Sequence, residues 1–266
     1  MDYTWNFKPL PPQAIVATLQ QELNISEPLA ILLAQRGVTT FQQAKDFFRP
    51  TLSQLHNPFL MKGMKEAVAR LDRALKSNET ILIYGDYDVD GTSAVSLMER
   101  YLSNFTSKLL PYVPDRYTEG YGISFQGIDY AEAQGCTLII ALDCGIKAID
   151  KVEYAKGKAI DFIIADHHRP SEQVPDAIAV LDPQQADCPY PYKELCGCGL
   201  GFKLAQAYHE YLQRPFSELI PLLDLVAVAT AADIVPMNGE NRCLTYFGLE
   251  ELPRSEERRV GKECRS

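Results

Sequence analysis

Four short apolar runs in the middle of the chain each end in an aspartate, and this feature limits the possible folds more than any other. Asp86, Asp143, Asp166 and Asp182 directly follow runs that are rich in Ile, Leu and Ala. Such runs, separated by segments of helical periodicity, are typical of buried strands in a parallel sheet with helices on its faces. Because the carboxyl ends of parallel strands share one edge of the sheet, where open α/β sheets bind ligands, we expect the four carboxylates to converge.

The whole pattern predicts an α/β fold with a mostly parallel sheet of about five strands flanked by helices. The predicted strands cover residues 81–84, 109–113, 137–142, 162–165 and 178–181. Helical periodicity covers residues 65–76, 93–102, 202–212 and 217–229. In this interpretation residues 1–70 form a helical N-terminal segment and residues 71–253 form the α/β domain.

The last residues, 254–266, do not continue this pattern. Their sequence, RSEERRVGKECRS, has no apolar periodicity and is similar to the in-frame translation of a sequencing-adapter oligonucleotide. We expect a non-native tail that packs against nothing, because it lacks the apolar face that would offset the entropy of ordering it. In that case the chain is a truncated piece of a larger parent protein. A natural charged tail is the alternative.

The first aspartate opens a dense acidic loop in which Asp86, Asp88 and Asp90 alternate along the chain. Clustered carboxylates raise each other's pKa, so such a group is tolerable chiefly when cations neutralise it. The helix that begins near Ser93 offers unpaired N–H groups to an anion such as phosphate, so Ser93 is a candidate substrate contact. The loop also matches the opening of an EF-hand calcium loop. That alternative fails at the twelfth position, which is Leu97 instead of Glu, and because a strand precedes the loop.

A second dense site is the tripeptide Asp166-His167-His168, which contains two of the four histidines of the chain. Imidazole and carboxylate ligands together suit manganese, zinc or iron better than an all-oxygen calcium or magnesium cage. Two histidines that cap the following helix are the alternative. Their place beside several strand-end acids favours metal ligation.

Several motifs, taken in order along the chain, resemble those of the DHH phosphoesterases. They are GDYDVDG at 85–91, LDCG at 142–145, DHH at 166–168, LDLVA at 223–227 and ADIVP at 232–236. Further stretches at 112–116, 119–122, 181–183, 188–191 and 196–199 are similar to the single-strand-specific exonucleases of that family. The resemblance covers roughly residues 20–252. It implies that residues 71–253 are a phosphoesterase catalytic domain that hydrolyses phosphodiesters with water.

The resemblance also implies two divalent cations, manganese or magnesium, and a set of ligands for them. The implied metal ligands are Asp88, Asp90, Asp143, His167 and Asp233, with Asp86 close by. Two divalent cations held together would activate a water molecule and stabilise the entering and leaving oxygens of a phosphodiester.

Three further residues receive roles at the phosphate from the same resemblance. His168 faces the scissile phosphate as a catalytic group, and Asp166 is its catalytic neighbour. Arg116 is the candidate phosphate contact, because a guanidinium can bind two phosphate oxygens at once. An ion pair between Arg116 and either Asp115 or Glu119 is the alternative.

The net charge of −9 counts against a nucleic-acid substrate, because affinity for nucleic acid depends on Lys and Arg contacts to phosphate. Bound cations would offset part of this charge, and further domains of a parent protein would complete a groove for single-stranded DNA. A phosphoesterase for short oligonucleotides, cyclic dinucleotides or pyrophosphate is one alternative, and a non-catalytic scaffold of the same fold is another. A generic nucleotide-binding module is weakest, because the chain has no G-x-G-x-x-G or P-loop motif.

The remaining features point to the cytoplasm. No apolar run approaches the length of a membrane span, and the first residues lack the pattern of a secretory signal. The seven cysteines contain no C-x-x-C pair, so we expect reduced thiols. Besides single-stranded DNA, the expected partners are a single-strand-binding protein or a helicase, bound through the parent protein.

Overall fold

Five strands pair in parallel in the order β2-β1-β3-β4-β5. Their bounds are β1 (Thr80–Gly85), β2 (Leu109–Tyr112), β3 (Cys136–Leu142), β4 (Asp161–Ala165) and β5 (Ala179–Leu181). Helical crossovers connect the first four, as parallel pairing requires, and a loop over 166–178 leads from β4 to β5. The predicted α/β fold with about five mostly parallel strands is confirmed.

The computed structural model of the chain describes residue 4 and residues 6–263, with side chains up to residue 253. Its contacts divide the chain into two compact units, Met1–Gln54 and Leu55–Ser266. The sequence pattern had placed the end of the helical segment at residue 70. The helix predicted over 65–76 lies in the second unit. No helix among the described residues is long and apolar enough to cross a membrane.

The described residues of the first unit form three α-helices: α1 (Gln13–Leu23), α2 (Glu27–Ala34) and α3 (Phe41–Phe48). Thr40 caps α3, since its hydroxyl accepts a hydrogen bond of 3.2 Å from the backbone N–H of Gln43. Val16, Leu19, Ala30 and Ala44 are buried in a small core shared by the three helices.

The second unit contains seven helices among the described residues. They are α4 (Met64–Lys76), α5 (Val89–Leu102), α6 (Phe125–Ala133), α7 (Ile149–Gly157), α8 (Gly197–Tyr211), α9 (Leu223–Ala232) and α10 (Gly239–Glu263). Alternate side chains of β1 enter opposite cores. Ile81 and Ile83 face the core shared with α4, α5, α8 and α9, whereas Leu82 and Tyr84 face the core shared with α6 and α7. Helices therefore cover both faces of the sheet.

Two helices differ from their predicted bounds. Helix α8 begins at Gly197, whereas its apolar periodicity begins at residue 202. The predicted helix over 217–229 is replaced by two short 3₁₀ turns, Phe216–Glu218 and Ile220–Leu222, followed by α9. Pro221 has no N–H, and its ring clashes with the carbonyl four residues earlier, so proline disfavours an α-helix that continues through this position, which explains the later start.

The tail has a helical backbone within α10, which extends to Glu263. The prediction that residues 254–266 pack against nothing concerns side chains that lie outside the described residues.

Candidate metal centre

The strand order places a binding crevice between β1 and β3. In this order β2 lies on one side of β1 and β3 lies on the other. The loop after β1 therefore leads away from the loop after β3, which leaves a crevice between them. Asp86, Asp88 and Asp90 belong to the loop after β1 and the start of α5, and Asp143 follows β3 directly. The topology therefore brings the densest acidic segment to the edge where open α/β sheets bind ligands.

The register of the sheet aligns the four strand-end aspartates. Gly85 pairs with Leu142, Leu142 with Ala165, and Ala165 with Leu181, so these residues form one row across four strands. The residue that follows the end of each of these strands is an aspartate: Asp86, Asp143, Asp166 and Asp182. All four are buried.

His167 lies at the centre of a group of three carboxylates. Its Nε2 atom lies 3.1 Å from Oδ1 of Asp143, 3.7 Å from Oδ2 of Asp233 and 3.8 Å from Oδ2 of Asp90. Asp88 is exposed, and its charge acts on the same group because it raises the pKa of Asp143 and Asp233 in addition to the effect of their burial. The structure thus brings His167, Asp90, Asp143 and Asp233 together, with Asp88 beside them.

Asp90 is held by the amino end of α8. Its Oδ2 accepts a hydrogen bond of 2.6 Å from the N–H of Gly197, and its Oδ1 accepts one of 2.8 Å from the N–H of Cys198. The first N–H groups of a helix have no intrahelical partner, and the helix dipole there favours a negative charge. This role of α8 was not predicted from the sequence. The available signal was the Gly-Cys-Gly run before the apolar periodicity.

Asp88 is also the N-cap residue of α5. Its Oδ1 accepts a hydrogen bond of 2.9 Å from the N–H of Gly91 and so caps the helix. Gly91 itself must be a glycine, because a Cβ there would lie 2.6 Å from the backbone nitrogen of Asp86. The loop is therefore folded back tightly on β1.

Asp143 has a left-handed backbone with φ of 60°. Such a conformation is uncommon for residues other than glycine, and Asp and Asn adopt it most readily. Gly197 packs directly on Asp143, since a Cβ at Gly197 would lie 2.7 Å from its Cα and Oδ1 atoms. The amino end of α8 therefore fits against Asp143 while it binds Asp90.

His168 is oriented by Asp166. Its Nδ1 lies 2.7 Å from Oδ1 of Asp166, and its Nε2 lies 2.9 Å from the hydroxyl of Tyr121. The other carboxylate oxygen of Asp166 accepts a hydrogen bond of 2.8 Å from the N–H of Ile146. Burial alone would raise the pKa of Asp166, but the hydrogen bonds and charge of His168, with the N–H of Ile146, outweigh burial and lower it. The hydrogen bond to Asp166 raises the pKa of His168.

Burial raises the pKa of the other acids in the row. The pKa of Asp182 rises to about 7 and that of Asp86 rises as well, in both cases chiefly because the carboxyl is desolvated. Burial would lower the pKa of His167, but Asp143, Asp90 and Asp233 outweigh it and raise this pKa. Without a cation the group is therefore electrostatically costly in its fully ionised form.

Unpaired oxygens show that a cation fits this group. Both carboxylate oxygens of Asp86 and Oδ2 of Asp233 are buried and have no hydrogen-bond partner among the described residues. A buried polar atom without a partner costs about 1–3 kcal/mol, and more when it is charged. Two sets of three donors lie close enough to share an ion: Asp90 with His167 and Asp233, and Asp143 with His167 and His168. A mixed set of carboxylate and imidazole donors suits manganese, zinc or iron.

The two predicted substrate contacts have different surroundings. The guanidinium of Arg116 lies 5.2 Å from the ring centre of Tyr87, which is in the acidic loop. Asp115 and Glu119 are engaged elsewhere, since Asp115 accepts from Thr118 and Glu119 accepts from Tyr112 and Ser124. The alternative ion pair of Arg116 is not present among the described residues, and its phosphate contact stays a prediction.

Ser93 lies in α5 and is 8% exposed. Within the described part of the chain, no hydrogen bond connects Ser93 to the carboxylate group. Its role as a substrate contact also stays a prediction.

Comparison with known proteins assigns the family. The model of the DHH family, N-terminal domain, matches residues 80–230. The single-stranded-DNA-specific exonuclease RecJ of Bacillus subtilis (strain 168) is 41% identical over 245 residues, which cover 92% of this chain and 30% of the relative. The RecJ of Escherichia coli (strain K12) is 35% identical over 244 residues, which cover 88% of this chain and 40% of the relative.

Solved structures agree with this assignment. A crystal structure of exonuclease RecJ bound to manganese is 32% identical, with a TM-score of 0.69, and the match covers 77% of this chain and 51% of that one. A structure of RecJ from Thermus thermophilus in complex with Mn²⁺ is 28% identical, with a TM-score of 0.76, and the match covers 92% of this chain and 34% of that one. The chain thus spans less than half of the length of these curated relatives. The resemblance drawn from the motifs is confirmed, and the chain belongs to the DHH family.

Proposed function

We propose that this chain carries the metal centre of an exonuclease that hydrolyses phosphodiester bonds of single-stranded DNA, as part of a longer protein. The observation that carries the proposal is the group around His167, where buried carboxylates converge and leave oxygens without partners. The names of the relatives supply the substrate class. DNA repair and recombination in the cytoplasm, with a single-strand-binding protein or a helicase as partner, is the finer form of the proposal.

The proposed ligands of two divalent cations, Mn²⁺ or Mg²⁺, are Asp88, Asp90, Asp143, His167 and Asp233, with Asp86 beside them. When bound, such cations supply a more acidic water and charge that stabilises the entering and leaving oxygens. Their chemistry requires no covalent intermediate on the protein.

The protein side of the mechanism begins with orientation. Helix α8 fixes Asp90 through two N–H groups, so this carboxylate is in place before a ligand arrives. Asp166 holds the imidazole of His168 by its Nδ1 atom and favours its protonated form. A protonated His168 could bind a phosphate oxygen through Nε2 in place of the hydroxyl of Tyr121, and so hold the phosphodiester beside the proposed cation site. Arg116, beside Tyr87, is the proposed second phosphate contact.

The net charge of −9 favours a second candidate, hydrolysis of short oligonucleotides, cyclic dinucleotides or pyrophosphate. A short substrate needs fewer phosphate contacts than a long strand, so an acidic surface opposes it less. The two candidates share the metal ligands and differ in the length of the substrate.

The test compares the 266-residue chain with a version extended by the segments that the longer relatives possess. Both are incubated with labelled single-stranded DNA, duplex DNA and a dinucleotide, with and without Mn²⁺. We expect both proteins to bind Mn²⁺, and only the extended version to digest long single strands well. Duplex DNA should remain intact. Digestion of the dinucleotide alone by the extended version would instead support the second candidate.

Variants of the extended version test the residue roles. Asp88→Ala and His167→Ala should each lower the rate of hydrolysis by about 10³-fold or more. Each change removes a proposed ligand of the cations that stabilise charge on the reacting phosphate. The matched control is Asp187→Ala, which removes an exposed carboxylate paired with Lys62. Folded Asp88 and His167 variants with near-normal nuclease activity would contradict the proposal.

A further inference from the structure

Two adjoining apolar grooves lie on the first unit, within residues Met1–Gln54. One has a volume of about 410 Å³ and the other about 420 Å³, and Leu23 and Phe48 line both. We call them together the N-terminal groove. Leu29, Leu32, Phe41 and Phe48 line it and are between 46% and 57% exposed. An exposed apolar surface of this kind marks an interaction site more often than a neutral stretch of surface.

The charged residues of the N-terminal groove are all basic. Arg36 lines the first part, and Lys45 and Arg49 line the second. The chain as a whole has 35 acidic and 26 Lys and Arg residues, so a lining with cations alone is opposite to its average. Glu22 accepts a hydrogen bond of 3.2 Å from the N–H of Phe41 and forms no ion pair with these cations among the described residues.

These three cations are available to a ligand. None of the ion pairs formed within the described ranges involves Arg36, Lys45 or Arg49. The only described hydrogen bond of the Arg36 guanidinium goes to the carbonyl of Leu32, one turn earlier on α2. A negatively charged ligand could therefore bind these basic groups without first breaking an ion pair within the described residues.

We propose that the N-terminal groove binds an acidic amphipathic helix of a partner protein. The apolar face of such a helix would cover Leu29, Leu32 and Phe48, and its acidic residues would meet Arg36 and Arg49. Helices bind to apolar grooves through side chains spaced three or four residues apart, and complementary charges fix their direction. This interaction is independent of the proposed nuclease activity.

A helix suits the groove better than a single strand of DNA does. Bases bind mainly by stacking on flat aromatic rings, whereas five of the eight residues that line the first part of the groove are branched aliphatic, among them Leu29, Leu32 and Leu33. Aliphatic pockets of this size accept the Leu or Phe side chains that anchor a helix.

The test begins with a displayed library of random dodecapeptides selected on the 266-residue chain. We expect the selected peptides to be acidic and to carry apolar residues at helical spacing. A labelled selected peptide is then titrated with the chain, and its fluorescence anisotropy gives the Kd. The affinity should fall as salt is raised, because charge attraction is screened.

Matched variants locate the binding site. Leu32→Gln, Phe48→Gln and the double change Arg36→Glu with Arg49→Glu should each weaken binding by about tenfold, as expected for central contacts of an interface. Leu10→Gln and Lys8→Glu alter exposed residues of the same unit outside the groove and should leave the Kd unchanged. Circular dichroism establishes that each variant is folded. The double charge change lies at exposed positions and tests the proposal even if an apolar variant unfolds.

Four results would overturn the proposal. The first is a selection that yields no binding peptide, or only neutral and basic peptides. The second is a set of groove variants that bind the peptide as tightly as the parent chain does. The third and fourth concern other occupants of the groove. Binding of labelled oligothymidylate that is lost in the same variants would assign the groove to nucleic acid. An extended version of the protein that no longer binds the peptide would show that the groove is covered by its own chain.

Discussion

Gly197 packs directly on Asp143 and donates its N–H to Asp90. This close packing is possible because glycine has no side chain. We expect Gly197→Ala to displace Asp143, because the new Cβ would lie 2.7 Å from its Cα, a backbone atom that cannot rotate away. Overpacking of this kind costs about 1–3 kcal/mol of stability. The affinity for Mn²⁺, measured by calorimetric titration, should fall by about tenfold or more, because geometry of the ligand set decides metal binding.

Gly199→Ala is the matched control in the same helix. A Cβ at Gly199 would meet its nearest atom, in Leu195, at 3.5 Å, which is ordinary contact. Alanine in a helix is favoured over glycine by about 0.5–1 kcal/mol, so this variant should be at least as stable as the parent chain and bind Mn²⁺ equally. Equal Mn²⁺ affinities of the two variants would show that Gly197 does not position Asp143.

At the scale of elements, a buried ion pair connects α8 with α10. Lys203 and Glu240 lie 2.7 Å apart, and both side chains are fully buried. Glu240 also accepts hydrogen bonds from the hydroxyl of Tyr190 and the N–H of His56. Lys203→Met leaves the carboxylate of Glu240 buried without its cation, which should cost about 3–5 kcal/mol of unfolding free energy in a urea titration.

The double change Lys203→Met with Glu240→Gln should cost less than the sum of the single changes, because it removes both charges. As a control, Lys62→Met removes the cation of an exposed pair with Asp187 and should cost about 0–1 kcal/mol. A Lys203→Met variant as stable as Lys62→Met would contradict the importance of the buried pair.

Elements that are stabilised by residues close in sequence were predicted well, whereas elements that depend on contacts distant in sequence were not. Strand β4 was predicted within one residue, because its run of apolar residues is continuous and ends at Asp166. The start of α8 was missed, because glycine and cysteine are poor helix formers and the carboxylate that binds two N–H groups of that first turn, Asp90, is distant in sequence. The row of strand-end acids was predictable from topology, whereas the roles of Gly197 and of the helix end depend on packing between elements far apart in sequence.

At the scale of the molecule, the buried acids predict how stability depends on pH. The pKa of Asp182 is raised to about 7, burial raises that of Asp143, and neighbouring carboxylates raise that of His167. Each folded-state pKa lies above its unfolded value, so the folded chain holds more protons and stability falls as pH rises. For Asp182 alone, the loss between pH 6 and pH 8 is about 1 kcal/mol.

The metal-free chain should therefore have a lower Tm at pH 8 than at pH 6. Mn²⁺ should raise the Tm at pH 8, because it binds the folded chain and favours the ionised acids. Asp182→Asn should reduce the slope. Asp187→Asn should not, because Lys62 lowers the pKa of Asp187 and keeps it ionised throughout this range. A Tm of the metal-free chain that rises from pH 6 to pH 8 would contradict the direction of these shifts.

The single row formed by Gly85, Leu142, Ala165 and Leu181 also has a consequence for folding kinetics. The aspartates that follow these residues come together only after strands distant in sequence have paired, and such pairing is the slow part of folding an α/β chain. The proposed ligands Asp90, Asp143 and His167 follow the ends of β1, β3 and β4, so a cation that they bind would arrive after the rate-limiting step. It cannot speed up folding, and its binding energy lengthens the lifetime of the folded chain by slowing its unfolding.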